Sequence, residues 1–387
     1  MLISQAQVQG NQLTLIPLVY SGENLGLKME LLKKTPLNKV HHDLKARMMD
    51  FADWELPVWY TSILEEHRAV RSRAGIFDTS DMGRVWLTGK KVGSFLDKVL
   101  TKPVQQLEVG SAQLCLLCLE HGGILDDLWV YHVGADQYLI VWNASNVEQK
   151  LDWLLRWSGS DPDIIIEDRS RNTVMVAVQG PAVSQLENLK SVSHLPRFGH
   201  TQRKIGDVSV FVARTGYTGE DGFEIISDAE NALPLWESFM EQGVTPCGLG
   251  ARDSLRLEAG MLLHGQDTDT GTNPFEAGLR WLIALDKDEF IGKSALLEIK
   301  HHGVSRKLIG FQMKGREIAR SGYPIFKSGQ EVGKVTSGGY APTLGVNIGL
   351  GYVPIELATI GTDIEIIIRN KPITAHIVNK RFYKKGA

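Results

Sequence analysis

The sequence is poor in cysteine, with only three in 387 residues: Cys115, Cys118 and Cys247. Three cysteines are too few for a disulfide framework and are typical of a reducing compartment such as the cytoplasm. Cys115 and Cys118 form a C-x-x-C pair, but the pair lies within the apolar run LCLLCL rather than at the start of a helix. We interpret both thiols as packed in a strand, not as metal ligands or a redox pair.

Other features are also missing, and each absence excludes a class of protein. No apolar run approaches the roughly 20 residues that a membrane-spanning helix needs. The net charge of −3, from 42 basic and 45 acidic side chains that are well mixed, gives no field that attracts nucleic acid or a membrane surface. Dinucleotide, Walker-type and serine-hydrolase signatures are missing. The histidine pairs at 41–42 and 301–302 have no nearby ligands, so no metal site is predicted.

The first 28 residues differ from the rest of the chain, because Glu23 is the only charge before the last of them. No basic region precedes their apolar stretch, as a secretory signal requires, and no arginine occurs before Arg47, which argues against a mitochondrial transit peptide. We therefore predict that residues 1–34 form an N-terminal extension. This extension is either disordered or an artefact of the start site, with Met29 as the natural start.

The remaining chain mixes helical and strand patterns without the regular alternation of a doubly wound sheet, which predicts an α+β fold. Residues 62–75 have helical spacing and end on a glycine stop, and residues 147–158 and 231–243 have amphipathic helical patterns. Short strands separated by turn residues predict antiparallel hairpins. Two or three domains are expected at this length. We predict a core of two interleaved domains at 35–300 and a β-rich C-terminal domain at 301–387.

Several polar residues stand at the edges of predicted strands. Asp126 and Asp127 come between a glycine turn and an apolar strand, so they point to opposite faces and one of them can line a pocket. Capping of the turn is the alternative for this pair. Asn143 follows the strand YLIVW, and Glu224 begins the strand FEII. A ligand would satisfy either side chain, and a turn contact is again the alternative.

Arg252 is predicted in the first turn of a short helix that begins after Gly250. A cation is unfavourable there because of the helix dipole, so the position attracts an anion such as a carboxylate. An internal salt bridge to Asp253, Glu258 or Asp267 is the alternative. These residues indicate an α+β protein with isolated polar groups, but they do not define a reaction.

Over residues 35–383 the sequence resembles the glycine cleavage T-protein, or aminomethyltransferase, family. The resemblance is carried by the order and spacing of strings such as GGILDDLWVY, VAVQGP, RTGYTGEDGFE, CGLGARDSLRLEAGMLLHGQD, NPFEAGL and TSGGYAPTLGVNIGLGYVP. It implies a three-domain cloverleaf around a central folate channel, with a β-barrel as the last domain. It also implies transfer of the methylene group from the aminomethylated dihydrolipoyl arm of H-protein to tetrahydrofolate, with release of ammonia and formation of 5,10-methylenetetrahydrofolate.

The resemblance also implies roles for individual residues. Asp127, the second aspartate of GGILDDL, is similar to the catalytic carboxylate beside the folate N5 and N10 atoms. There it would orient the folate and supply a fixed charge as the amine leaves. Asn143 and Glu224 match positions that hold the pterin edge, and Arg252 matches an arginine at the carboxylate-bearing end of folate. The positions similar to channel-lining residues are Met82, Tyr131 and Tyr217. Lipoylated H-protein and tetrahydrofolate are the implied partners, tetrahydrofolate as substrate, and no metal is implied.

The sequence departs from the family pattern at several positions. Asp81 replaces a usual histidine, Leu114 a frequent tyrosine and Leu119 a frequent asparagine. His264 stands where tyrosine is more frequent, and Asp53 where glycine is common. Because the main polar groups are intact, we interpret these differences as variation within the family. A paralogue with a different substrate is the alternative.

Three other functions are weighed against this one. A folate-dependent demethylase would act on a small methyl donor and would not need a lipoylated carrier. The folate domain of a sarcosine or dimethylglycine dehydrogenase would accompany a flavin-binding domain, which this sequence does not contain. A non-enzymatic folate-binding protein of iron–sulfur maintenance would have a K-G-C-[YF]-x-G-Q string, and the corresponding EAGMLLHGQ contains no cysteine.

Overall fold

The computed structural model describes residues 32–145 and 147–385. The predicted extension at residues 1–34 lies outside these ranges except for its last three residues. Helices are mixed with mainly antiparallel strands, which confirms the predicted α+β class. None of the helices in these ranges is long and apolar enough to cross a membrane.

The elements alternate irregularly along the chain. The strands are β1 (Lys33–Lys34), β2 (Arg47–Phe51), β3 (Trp54–Trp59), β4 (Gly75–Asp78), β5 (Gly83–Thr88), β6 (Ala112–Cys118), β7 (Ile124–Gly134), β8 (Gln137–Trp142), β9 (Ile165–Asp168), β10 (Thr173–Gln179), β11 (His200–Ile205), β12 (Val208–Ala213), β13 (Gly222–Asp228), β14 (Thr245–Pro246), β15 (Arg306–Met313), β16 (Pro324–Lys327), β17 (Gln330–Ala341), β18 (Val346–Pro354), β19 (Asp363–Ile368) and β20 (Lys371–Val378). The α-helices are α1 (Asn38–Asp43), α2 (Ile63–Ser72), α3 (Val92–Val99), α4 (Val147–Ser158), α5 (Glu187–Lys190), α6 (Ala232–Met240), α7 (Leu249–Glu258) and α8 (Lys293–His302).

The first large sheet has the strand order β6-β7-β8-β5-β9 and is antiparallel throughout, which confirms the predicted hairpins. Successive side chains of a strand point to opposite faces. Along β7, Val130 joins the core beneath helices α3 and α4, whereas Trp129 and Tyr131 pack toward the second sheet. Asp127 therefore shares the face of Trp129 and Tyr131, and Asp126 lies on the opposite face.

The second large sheet has the strand order β11-β12-β13-β10-β4-β14. On β13, Phe223 and Ile225 pack in a core with helix α6. Ile226 packs instead in the apolar layer that separates the two large sheets, in the same buried cluster as Tyr131. Glu224 lies on the same face of β13 as Ile226, because side chains two residues apart share a face. The strands β7 and β13 thus direct Asp127 and Glu224 toward the same junction.

The strands of the C-terminal segment close into a barrel in the order β15-β18-β17-β16-β19-β20, which confirms the predicted β-barrel. The barrel interior is filled by alternate residues, such as Ile364 and Ile366 of β19 together with Phe311 of β15. Gly349 is required on the facing strand, because a Cβ atom there would lie 2.3 Å from the Phe311 ring.

The helix predicted over residues 62–75 begins as expected but ends earlier. Ser62 caps α2, because its side chain accepts a hydrogen bond from a backbone N–H of the first turn. The helix ends at Ser72, and Gly75, which was predicted to be its glycine stop, instead begins β4. A Cβ atom at this position would lie 2.5 Å from Val70 Cγ2. The glycine therefore permits close packing and does not terminate the helix.

The other predictions for local structure agree with the fold. The amphipathic patterns at 147–158 and 231–243 coincide with α4 and α6. Cys115 and Cys118 lie buried in β6 as free thiols, as predicted. Burial raises the pKa of each thiol to about 12, so both stay protonated and unreactive at neutral pH.

A buried ionic network fixes helix α7 between helix α2 and the barrel. Glu258, at the end of α7, is fully buried, and its Oε2 atom accepts hydrogen bonds from Arg71 Nη2 at 2.9 Å and from Thr343 Oγ1 at 2.7 Å. Its Oε1 atom accepts from the backbone N–H of Thr343 at 2.8 Å. His67 on α2 also contacts Thr343, with 2.9 Å between Nε2 and Oγ1. The orientation of α7 therefore depends on contacts to two other parts of the molecule.

Replacement of Glu258 tests this network. Glu258→Ala removes one of the two carboxylates that pair with the buried Arg71 guanidinium, the other being Glu220 at 3.1 Å, and it leaves the backbone N–H of Thr343 without its acceptor. We therefore expect the free energy of unfolding to fall by about 2–4 kcal/mol. Urea denaturation measures the loss. The control is Glu289→Ala at an exposed position, for which we expect a change within about 0.5 kcal/mol. A loss of similar size in both variants would contradict the structural role of the network.

Candidate active site

The two adjacent aspartates of β7 have different surroundings. Asp126 is completely buried, whereas Asp127 is half-buried. Asp126 Oδ2 accepts hydrogen bonds from Lys150 Nζ at 2.5 Å and from the backbone N–H of Asn143 at 3.2 Å, and its Oδ1 accepts from Asn143 Nδ2 at 2.7 Å. Both residues lie inside the strand, and Asp126 binds side chains of other elements, so the turn-capping alternative is wrong for it.

Asn143 connects the two carboxylates. Its Nδ2 atom lies 3.1 Å from the backbone oxygen of Asp127 and 3.4 Å from Asp127 Oδ1. Its own backbone oxygen accepts a hydrogen bond from Lys150 Nζ at 2.6 Å. The amide of Asn143 is thereby held in one orientation, with its N–H groups directed toward the carboxylates.

The electrostatics of the two carboxylates differ accordingly. Burial, reinforced by the negative charge of Asp126, raises the pKa of Asp127 to about 7, while Lys150 and Asn143 oppose this shift. Burial lowers the pKa of Lys150, and the pairing with Asp126 works against that effect. Asp126 thus has a bound counter-ion, and Asp127 changes its charge near neutral pH.

His264 is the next group beside these carboxylates. Its Nδ1 atom lies 3.9 Å from Asp126 Oδ1. Burial lowers the pKa of His264, which favours the neutral imidazole. Among the described residues, Asp126, Asp127 and His264 are the one group whose ligand atoms lie close enough together to hold a metal ion, all within 4.8 Å of one another. The cation that this group contacts is the ammonium of Lys150.

Glu224 lies on the facing sheet as the centre of a second polar group. It is buried on β13, and its Oε2 atom accepts a hydrogen bond from Thr215 Oγ1 at 2.5 Å. The Oγ1 atom of Thr215 is in turn 3.4 Å from the hydroxyl of Tyr131. Burial raises the pKa of Glu224, opposed by the Thr215 hydrogen bond and by the charge of Arg252. An acidic group thus stands in the apolar layer between the sheets with one hydroxyl donor identified.

Arg252 brings a cation to the same region. Helix α7 begins at Leu249, two residues earlier than predicted, because the predicted helix begins after Gly250; Arg252 still lies in its first turn as expected. Its guanidinium lies 5.0 Å from the centre of the Tyr217 ring, and its Nη2 atom is 3.8 Å from Met82 Sδ. Within the described part of the chain, its Nη1 atom is buried without a hydrogen-bond partner. A buried N–H donor of this kind favours an anionic ligand.

The alternative of an internal salt bridge applies to a different arginine. Arg256, one turn further along α7, pairs with Asp253 at 2.8 Å and with Asp267 at 2.6 Å. Glu258 pairs with Arg71 instead. The three acidic candidates are therefore occupied by other arginines, which leaves the Arg252 guanidinium directed at the junction.

Asp81 and Tyr217 complete this end of the site. Asp81 is buried, and burial raises its pKa to about 6 while the positive charge of Arg252 opposes the shift. The hydroxyl of Tyr217 donates a hydrogen bond to the backbone oxygen of Leu262. Burial raises the pKa of Tyr217, and the charges of Asp127 and Arg252 both act on it. Tyr217 thus lies within the electrostatic reach of the β7 carboxylates and of α7.

The structure arranges the residues singled out from the sequence in three neighbouring groups. These groups are Asp127 with Asn143; Glu224 with Tyr131 through Thr215; and Arg252 with Tyr217 and Met82. Sequence reasoning missed Lys150 and Thr215. A signal for Lys150 was present, because it occupies the apolar stripe of α4 that also buries Trp153 and Leu154.

Three more positions that depart from the family pattern, Leu114, Leu119 and Asp53, lie in different parts of the fold. Leu114 on β6 is paired directly with Trp129 on β7, and it packs among partly buried apolar side chains. Leu119 packs partly buried against the core of the first sheet. Asp53 lies in the turn between β2 and β3, where Ala52 and Asp53 have φ angles of 51° and 64°. Glycine adopts this left-handed region without a steric cost, which accounts for its use at that position.

Comparison with known proteins assigns both parts of the chain to one family. Residues 37–287 match the GCVT N-terminal domain, and residues 306–384 match the glycine cleavage T-protein C-terminal barrel domain. An aminomethyltransferase of Halothermothrix orenii is 44% identical over 358 residues, which cover 91% of this chain and 100% of that protein. An aminomethyltransferase of a Nostoc species is 44% identical over 366 residues, which cover 92% and 97%. A crystal structure of glycine cleavage system aminomethyltransferase T from Bartonella henselae superposes with a TM-score of 0.87 at 32% identity, covering 92% of this chain and 99% of that one.

The raised pKa of Asp127 has a consequence for stability. An unfolded aspartate ionises near pH 4, whereas Asp127 in the folded protein ionises at about 7. Between these values the folded state binds more protons than the unfolded state, so stability falls as the pH rises through this window. Asp127→Asn cannot ionise. We therefore expect the stability of the variant relative to the wild type to increase by about 3 kcal/mol between about pH 4.5 and about pH 8.

Urea denaturation of the two proteins at both pH values measures this difference. Asp152→Asn, at an exposed position of α4, serves as the control, and we expect it to change stability by less than about 0.5 kcal/mol at either pH. An effect of Asp127→Asn that is the same at both pH values would contradict a raised pKa.

Proposed function

This chain belongs to the glycine cleavage T-protein family, and from that premise we propose that it is the tetrahydrofolate-dependent aminomethyltransferase of the glycine cleavage system. Its substrates are tetrahydrofolate and the aminomethyl group on the dihydrolipoyl arm of H-protein. The observation that carries the proposal is the junction of the two sheets, where Asp127 and Asn143 face Glu224 and the unpartnered Nη1 atom of Arg252. Family membership over both parts of the chain supports this function over a demethylase or an iron–sulfur maintenance protein.

The reaction moves one carbon atom between carriers. Its bonds to sulfur and to the amino nitrogen break, and bonds to folate N5 and N10 form. Of the two protons that leave these folate nitrogens, one restores the thiol of the dihydrolipoyl arm and the other goes to ammonia as ammonium. Positive charge accumulates on the transferred carbon and its nitrogens during the exchange. A carboxylate held beside them stabilises that charge more strongly in a partly dry site than it would in water.

Asp127 is the residue that we assign to this role. It faces the junction from β7, and its half-buried carboxyl group has a long contact of 3.4 Å with Asn143, so it remains available to a ligand. Because its pKa is about 7, the ionised form is present in substantial amount at neutral pH and increases above it. The carboxylate therefore provides both orientation of folate and charge stabilisation, and the rate should follow its ionisation.

Folate recognition falls to the groups around Asp127. The carboxylate of Glu224 can accept hydrogen bonds from pterin N–H groups, and the amide of Asn143 is held at the same edge. Arg252 would bind the carboxylate-bearing end of folate through its unpartnered Nη1 atom. The channel-lining side chains in this proposal are Met82, Tyr131 and Tyr217.

The organisation and setting of the protein are part of the same proposal. We place the folate-binding core at residues 35–300 and the barrel domain at residues 301–387. Three buried free cysteines are consistent with action in the cytoplasm. The reaction needs no metal ion in this proposal, because the Lys150 ammonium already balances Asp126.

The decisive experiment measures 5,10-methylenetetrahydrofolate formed from tetrahydrofolate and aminomethylated H-protein. Unlipoylated H-protein is the control. The proposal is supported if 5,10-methylenetetrahydrofolate forms with the lipoylated H-protein and does not form with the unlipoylated control. Folate binding without this turnover would contradict it and would favour the demethylase, for which small methyl donors would then be tested.

Asp127→Asn tests the catalytic carboxylate. The substitution keeps the shape of the side chain but removes its charge, so we expect kcat to fall by about 100-fold or more and the Kd of tetrahydrofolate to change by less than about fivefold. Steady-state kinetics and calorimetry measure the two effects. Equal losses in turnover and affinity would instead indicate a binding role for Asp127.

Glu224→Gln tests recognition of the pterin. Glutamine can still accept the hydrogen bond from Thr215, but it lacks the charge that strengthens contacts to pterin N–H groups. We expect the Kd of tetrahydrofolate to rise by about 10- to 100-fold, with kcat at saturation reduced only a few-fold. Calorimetry of this variant is compared with Glu289→Gln, an exposed control position. An unchanged Kd would remove Glu224 from the folate site.

A further inference from the structure

Lys150 is a lysine in a place where an apolar side chain would serve the fold. It lies on the buried stripe of α4 and is completely inaccessible to solvent. Its Nζ atom donates hydrogen bonds to Asp126 Oδ2 at 2.5 Å and to the backbone oxygen of Asn143 at 2.6 Å, and it lies 5.3 Å from the centre of the Trp142 ring. The polar partners of this ammonium thus belong to the candidate active site.

Packing alone does not explain this lysine. Transfer of an ammonium group into a protein interior is unfavourable unless the charge is paired and hydrogen-bonded, and replacement of a buried ion pair by apolar residues is often neutral or stabilising. A methionine or leucine at position 150 would hold α4 against the first sheet equally well. The specific contribution of Lys150 is therefore its positive charge at Asp126 and its hydrogen bond to Asn143.

Both of these contacts act on the immediate neighbours of Asp127. Asp126 precedes it in the strand, and Asn143 donates toward its carboxyl group at 3.4 Å. Without the ammonium, Asp126 and Asp127 would be two adjacent buried carboxyl groups with no cation between them. Two like charges this close do not both ionise at neutral pH, so Asp127 would be protonated.

The other titratable groups around Asp127 do not replace this charge. Burial favours the neutral form of His264, which lies beside Asp126, and also the neutral form of Tyr217 on the opposite side. The guanidinium of Arg252 lies against the Tyr217 ring rather than between the two aspartates. In the described residues around the aspartate pair, Lys150 is thus the cation in direct contact.

We propose that Lys150 is a positioning residue of the transfer reaction, whose ammonium neutralises Asp126 and anchors Asn143 so that Asp127 carries its negative charge beside the reacting atoms. The identity of the reacting atoms rests on the proposed function. The effect of Lys150 on the charge of Asp127 does not depend on that function, because it concerns the protein alone. Nothing in the reaction requires Lys150 to contact the substrate.

Three variants separate charge from packing. Lys150→Met removes the charge, Lys150→Arg keeps it, and Lys150→Met combined with Asp126→Asn removes both members of the ion pair. For each we measure kcat as a function of pH. For Lys150→Met we expect the acidic limb of the profile to move up by about 1 pH unit or more, with kcat near pH 7 at least about fivefold lower and recovering near pH 9.

The two other variants show whether charge is the cause. Lys150→Arg should retain the wild-type limb. The double variant should return the limb toward the wild-type position, because the repulsion by Asp126 disappears together with the attraction by Lys150. If Lys150→Met does not fold, the arginine and double variants decide the question, and a limb that moves equally in both would overturn the proposal.

The matched control is Lys287→Met. Lys287 is a partly buried lysine whose Nζ atom donates to the backbone oxygens of Leu100 and Lys102, at 2.6 and 3.3 Å, outside the site. Its replacement should lower stability without moving the pH limb. A uniform fall in kcat at all pH values for Lys150→Met, like that of a structural lysine, would overturn the positioning role.

A measurement without substrate keeps this proposal separate from the proposed function. The difference in the free energy of unfolding between the protein with Asp127 and the Asp127→Asn variant, measured as a function of pH, reports the ionisation of Asp127. This difference grows between the unfolded and the folded pKa of Asp127, so in a Lys150→Met background the pH at which it levels off should rise by about 1 pH unit or more. An unchanged curve overturns the role of Lys150 even if the enzyme is active, and a shifted curve supports it even if no transfer to folate is detected.

Discussion

Two buried or half-buried carboxyl groups on adjacent residues of one strand lie near a single buried ammonium, which contacts Asp126, and the rest of the site depends on this imbalance of charge. The pleat of β7 places Asp126 in the interior beside Lys150 and Asp127 toward the junction of the sheets. Asp126 takes the counter-ion and becomes part of the scaffold. Asp127 keeps few contacts and a pKa of about 7, so it is the carboxyl group that can respond to a ligand.

The remaining groups face Asp127 because the fold directs them to the same junction. Glu224 comes from the second sheet, and Arg252 comes from a helix whose far end is held by the buried contacts of Glu258. Hydrophobic packing around them stabilises the molecule enough to keep a buried acid and an unsatisfied guanidinium donor in place. Such groups are unfavourable in the free protein and favourable once a polar ligand binds, which is the usual arrangement of a binding site.

Much of the fold was predictable, because it follows from local patterns. Alternating apolar residues predicted the hairpins of the first sheet, helical spacing predicted α4, and glycine-rich short strands predicted a β-rich C-terminal domain, while its closure into a barrel was implied by the family resemblance. Gly75 shows where this reasoning stops. A glycine after a helical pattern usually marks the end of a helix, but here the requirement comes from contact with Val70 and Cys247, and the latter is distant in sequence.

The sequence by itself determined the elements, the alternation that separates Asp126 from Asp127, the position of Arg252 in the first turn of a helix, and the family. Only the tertiary structure decided which polar groups became partners. Arg256 rather than Arg252 received the nearby acids, and Lys150 on α4 became the counter-ion of Asp126. Side-chain periodicity is a local property of the chain. Charge balance in a buried site depends instead on contacts between elements distant in sequence, so it appears only when the chain is folded.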